Sequence, residues 1–204
     1  MVNIVKDIDL LQDIGKYDVT LVSAHINNSL SNGFQRDIAL NYPYVQEGNY
    51  STKYGDTTKL GTILECRCEN EPTITIVYIF KFYPHKKVKG EIIDFCDYDA
   101  LEKCLLLVNS KYKGQRVSCP LLGCSRFDGN GDRDKVLALM ERCCTDIDLT
   151  VYDFFQKSRN EKQRETWKKE QEVKAVDRDA YYAMVRKRKE EAEARFRRNG
   201  HARY

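Results

Sequence analysis

Three titratable groups stand where small residues crowd together. His25 closes an apolar run. Asp128 and Asp132 lie in Gly123-Cys124-Ser125-Arg126-Phe127-Asp128-Gly129-Asn130-Gly131-Asp132. An imidazole titrates near neutral pH and can serve as acid or base. A loop carboxylate can orient water or act as a general base. Each also has a structural use: Asp132 as a helix N-cap, Asp128 as a turn residue, His25 as a hydrogen-bonding core residue. The glycines add a second chemistry. Backbone N–H groups where a strand loop meets a helix start gather an anion, and Gly123, Gly129 and Gly131 let the backbone approach a ligand. A second polar run, residues 27–33, carries Asn27, Asn28 and Gly33. No Gly-x-Ser-x-Gly elbow is present, nor a P-loop or dinucleotide fingerprint. Cys66-Arg67-Cys68 and Cys143-Cys144 lack C-x-x-C spacing and a nearby His. They read as buried thiols, and no metal is expected.

The elements that must position these residues follow from periodicity. Residues 19–26 form a near-continuous apolar run rich in β-branched residues, as in a strand buried on both faces. Residues 73–82 make the strongest strand pattern. Shorter strands are expected over 2–5, 61–68, from Val117 and over 149–153, with a helical turn or a loop over 9–14 that breaks at Gly15. Helices are expected over 34–41, stopped by Pro43, and over 45–54, 97–110 and 133–144. Strands and helices alternate through residue 153. This predicts an α/β fold, three-layer α/β/α with a mixed central sheet. The loops after His25 and Leu122 then share the carboxyl edge of the sheet, where open α/β sheets bind ligands.

Charge divides the chain. Of the net +3, residues 157–204 carry +7, from 16 Lys and Arg against 9 Asp and Glu, which leaves −4 for residues 1–156. Two domains are expected, 1–156 and 157–204. No run of about 18 apolar residues suggests a membrane span, and the first residues do not read as a signal peptide. A cytoplasmic location is expected, in host cytoplasm or a virion if the protein is viral.

Three stretches resemble the macro domain, the ADP-ribose-binding family. They are Asp7-Ile8 after the first strand; His25-Ile26-Asn27 followed by Gly33-Phe34-Gln35-Arg36-Asp37-Ile38-Ala39-Leu40-Asn41-Tyr42-Pro43; and Pro120-Leu121-Leu122-Gly123-Cys124-Ser125 with Gly131-Asp132-Arg133. Tyr50 and Leu60-Gly61 fall in place with them. The pattern is most similar to the branch of phage and yeast-type ADP-ribose 1″-phosphate phosphatases and the terminal ADP-ribose glycohydrolase. The resemblance covers roughly residues 1–154. It implies that Asp7 and Ile8 hold the adenine, with Asp13-Ile14 competing for that role. It implies that Asn27, Asn28 and Gly33 meet the distal ribose and diphosphate, and that Gly123, Cys124, Ser125, Arg126 and Phe127 close from the other side. Asp132, His25 and Asp128 are the catalytic candidates. No cofactor is implied. The chain departs from the branch at Ser125, where glycine is usual, in a longer second loop, and at Arg133, where tryptophan is usual.

Residues 157–199 read as one or two charged helices. Val173, Val176, Ala180 and Met184 form a narrow apolar stripe. The expected use is docking to a protein or to a second copy. Nucleic acid is the weaker alternative, because Glu190, Glu191 and Glu193 interleave with the basic residues. Two functions follow. The resemblance implies binding of ADP-ribose or a derivative, with hydrolysis of an ADP-ribosyl ester or of ADP-ribose 1″-phosphate as a further activity open to the chain. Alternatively it is an inactive macro-like scaffold that assembles through its end.

Overall fold

A computed structural model describes residues 2–31, 33–81, 96–125 and 129–153. Among the described residues six strands form one sheet: β1 (Asn3–Lys6), β2 (Val19–His25), β3 (Ile63–Cys66), β4 (Thr73–Phe80), β5 (Arg116–Pro120) and β6 (Asp148–Asp153). Their order is β1-β6-β5-β2-β4-β3. Only β3 runs antiparallel, against β4, so the sheet is mixed. Four helices among the described residues cover it: α1 (Gly33–Asn41), α2 (Pro43–Ser51), α3 (Tyr98–Lys111) and α4 (Arg133–Cys143). These elements fall in the unit Met1–Phe154. The expected charged extension, 157–204, lies outside the described residues.

Side-chain alternation along the strands builds the core on both faces. Val19 and Leu21 of β2, with Val77 and Ile79 of β4, meet Leu101, Leu105, Val136 and Met140 of α3 and α4. Val22, Ala24, Ile74, Ile76 and Tyr78 point the other way, against Ile38 of α1, Val45 of α2 and Leu10 and Ile14. A strand buried on both faces is largely apolar, and the polar residues of β2, Thr20, Ser23 and His25, are buried with it. Thr20 Oγ1 shares a hydrogen bond of 2.8 Å with Ser118 Oγ. Each fully buried Val, Leu or Ile contributes about 1.5–3 kcal/mol of transfer free energy.

Two expectations are corrected. Pro43 ends α1 but also opens α2 at its first turn, where its missing N–H is no loss and its fixed φ suits the helix. The expected helix over 45–54 therefore starts two residues early and stops at Ser51. Gly15 does not break the turn before β2. It sits inside a second short 3-10 turn, Ile14–Lys16, after Leu10–Gln12.

Candidate functional site

The site is built on the carboxyl ends of β2, β4, β5, β6 and β1. Parallel pairing of β2 with β5, and of β2 with β4, brings their outgoing loops to one edge. A register shift between Ala24 and His25 leaves His25 opposite Phe80 instead of Ile79. Bulges of this kind re-aim a side chain at a strand end. His25 is buried, at 2% exposure. Its ring centroid lies 4.8 Å from that of Phe80, with the planes tilted by 36°.

The loop after β5 folds onto the same aromatic. Gly131 N–H donates to Gly123 O at 2.8 Å, and Asn130 N–H donates to Ser125 O at 3.0 Å. Gly129 has φ +105°, and a Cβ there would collide with the Phe80 ring and lie 2.8 Å from Gly123 O; one at Gly123 (φ +76°) would lie 2.9 Å from Cys96 Sγ. These glycines therefore let the loop close on itself and on β4. Cys124 is half-buried and Ser125 exposed. Arg126, Phe127 and Asp128 lie outside the described residues.

Asp132 is the N-cap of α4. Its Oδ1 accepts the backbone N–H groups of Asp134 at 2.9 Å and Lys135 at 3.1 Å, and its own N–H donates to Tyr98 Oη at 2.7 Å. Arg133 donates to Asp153 Oδ2 at 2.7 Å, tying the start of α4 to the end of β6. Composition gave no sign of this clamp, because the partners lie twenty residues apart.

At the end of β1, Asp7 is exposed and holds φ +61°. Ile8 beside it is 43% exposed. Asp13 is engaged instead. Its Oδ1 pairs with Lys16 at 2.8 Å, and its Oδ2 accepts from Tyr152 Oη at 2.8 Å. The Lys16 bond, then the Tyr152 bond, holds its pKa below the ordinary carboxylate value.

Residues 27–31 wall a pocket of about 620 Å³, together with Gln46, Tyr50, Thr52 and Tyr54. Asn27 is half-buried at the wall. Asn28 is buried and its side chain is committed inward. Nδ2 donates to Thr52 O at 2.7 Å, and Oδ1 accepts from Thr52 Oγ1 at 3.2 Å and from the Lys59 ammonium. Gly33 opens α1 with φ +50°. Lys59 was not singled out from the sequence, since a lone lysine in a polar stretch carries no motif. Among the described residues, no group of three or more His, Cys, Asp or Glu is placed to hold a metal ion, and no helix is long and apolar enough to cross a membrane.

Comparison with solved structures fits this arrangement. A protein of unknown function from Bacteroides thetaiotaomicron superposes with a TM-score of 0.59 at 19% identity, covering 75% of this chain and 98% of that one. The macrodomain of Thermus aquaticus DarG gives 0.56 at 12% identity, covering 75% and 98%. Thermosipho africanus DarTG in complex with ADP-ribose gives 0.55 at 15% identity, covering 75% and 42%. This chain has the macrodomain fold. No protein-family model matches it, and no curated protein does. At these identities the likeness is one of architecture. The macrodomain sheet supplies the shared edge, and the residues on that edge are this chain's own.

Proposed function

We propose that this chain binds ADP-ribose or a derivative in the cleft between the loops that follow β2 and β5. The observation that carries the reading is that the end of β2 and the loop after β5 reach one aromatic: Phe80 packs on His25 and lies against Gly129. A pyrophosphate needs backbone donors from two sides, and two small-residue loops on adjacent parallel strands can supply them. The macrodomain fold of a solved neighbour holding ADP-ribose supports the same reading. Asp7, exposed beyond β1, is the residue for the adenine, because Asp13 is already bonded to Lys16 and Tyr152.

Hydrolysis of an ADP-ribosyl ester or of ADP-ribose 1″-phosphate belongs to the same proposal. Asp132 Oδ1 is occupied by the α4 cap, so water activation falls to Oδ2, with His25 as the proton carrier beside the loop. Calorimetry with ADP-ribose tests the binding. Absence of heat at millimolar ligand overturns it. Phosphate release from ADP-ribose 1″-phosphate, compared with Asp132→Ala, then separates an enzyme from a reader.

A scaffold reading has one observation in its favour. The glycines at 123 and 129 are required for packing against Cys96, Phe80 and the loop's own backbone. Their presence is thus explained without a ligand, and the same calorimetry decides between the two readings.

A further inference from the structure

Lys59 is a lysine with only 9% of its surface exposed. It ends the short 3-10 turn Thr57–Lys59, which Asp56 caps. Its ammonium donates to Asn28 Oδ1 and to Thr52 Oγ1 at 3.0 Å, and sits 4.9 Å from the centroid of the Tyr78 ring. Among the described residues no carboxylate forms an ion pair with it. Burial pushes its pKa below the ordinary 10.5, opposed by the charge of Asp56.

Among the described residues the partners of this buried cation are neutral oxygens and a ring, with the charge of Asp56 acting without an ion pair, which is not what stability alone would select. An apolar chain of similar length would fill the space without the desolvation cost. The arrangement fixes one residue in particular. Asn28 holds φ +57°, its N–H donates to His25 O at 3.2 Å, and its carbonyl accepts from Gln46 at 3.3 Å. Thr52, the other acceptor of the ammonium, is the C-cap of α2. The Lys59 ammonium is thus the point where the end of β2, the following loop and the end of α2 are joined.

We propose that Lys59 is a positioning residue for the ligand cleft: its buried ammonium locks Asn28, and through it the backbone of residues 27–31, in the conformation that receives the ligand. It touches no ligand itself. The proposal rests on the binding reading above for its affinity readout, and on loop order for a readout free of that reading.

The test uses the full chain with Lys59→Met and Lys59→Arg. Methionine keeps the apolar stem and removes the donors; arginine restores two donors and the charge. The expected result is ADP-ribose affinity weaker by about tenfold or more in Lys59→Met, a melting temperature within about 3 °C of the parent, and recovery of affinity in Lys59→Arg. Unchanged affinity in Lys59→Met overturns the proposal. So does a fall in melting temperature with loss of amide protection in β2 and β4, which marks a purely structural role, or a failure of arginine to restore what methionine loses. If the parent chain binds no ADP-ribose, the binding reading falls and amide exchange decides alone. Faster exchange at residues 27–31 in Lys59→Met, with β4 unchanged and arginine restoring the loop, sustains the positioning role. Equal exchange in all three chains sinks it.

Discussion

Phe80 meets His25 at 4.8 Å between ring centroids because a register shift at the end of β2 sets the two residues opposite each other. The Phe80 ring also lies against Gly129. One aromatic thus holds the ends of β2 and β4 and the loop after β5 together.

Gly129→Ala therefore strains two things at once. The backbone is at φ +105°, and the new methyl would collide with the Phe80 ring. We expect a loss of about 1–3 kcal/mol from the backbone conformation, with any clash added, read from urea unfolding. Ligand affinity should fall with it. Unfolding midpoints equal to those of the parent would show that Phe80 does not fix the loop.

Asp132 offers a way to separate capping from catalysis. Asp132→Ala removes the acceptor for Asp134 and Lys135 and should cost about 0.5–2 kcal/mol. Asp132→Asn keeps a cap of similar quality but removes the charge. If the carboxylate activates water, Asn should retain stability and lose about 10²–10⁴-fold in hydrolysis. Equal turnover by the Asn variant and the parent would leave Asp132 as a cap alone.

The two acidic candidates for the adenine should behave in opposite ways. Asp7→Asn removes the charge of an exposed residue and keeps a side chain that tolerates φ +61°, so it should weaken ADP-ribose binding with little change in melting temperature. Asp13→Ala removes the partner of Lys16 and Tyr152 and should lower the melting temperature first. The reverse assignment in a paired thermal and calorimetric measurement would transfer the ligand role to Asp13.

Acid should destabilise the fold through Asp18. Its carboxylate accepts Arg116 Nη2 at 2.8 Å, Nε at 3.3 Å and the Arg116 backbone N–H at 2.9 Å. The Arg116 side-chain bond, then the backbone bond, holds its pKa below the ordinary 3.8. A lowered carboxylate pKa means that the unfolded chain takes up the proton first. The stabilisation is full well above pH 3.8 and is lost as pH falls through the folded value. Unfolding midpoints measured downward from pH 5 should drop, and Asp18→Asn should flatten part of that drop. The pair is solvent-exposed, so the effect should shrink in high salt.

How much of this was legible beforehand depended on the range of the interaction. The apolar runs of β2 and β4 declare buried strands, because a strand covered on both faces has no polar side. Asp132 before a four-residue apolar period declares a cap, because capping is local. The double role of Pro43 was missed since the residue that cannot continue one helix is well suited to begin the next. The inward turn of Asn28 and the burial of Lys59 were also missed. A strand end, a loop and a helix end must be assembled before a lysine thirty-one residues away can reach that amide.

The sequence by itself determined the alternation of strands and helices, the small-residue composition of the two loops and the N-cap of α4, all of which follow from contacts within a few residues. Tertiary structure alone decided that His25 faces Phe80, that the glycines serve loop closure on β4, that Asp13 is engaged while Asp7 stays open, and that Lys59 is buried under Asn28. Those outcomes depend on strand order and register, which are set by packing the whole sheet, and no local pattern carries them.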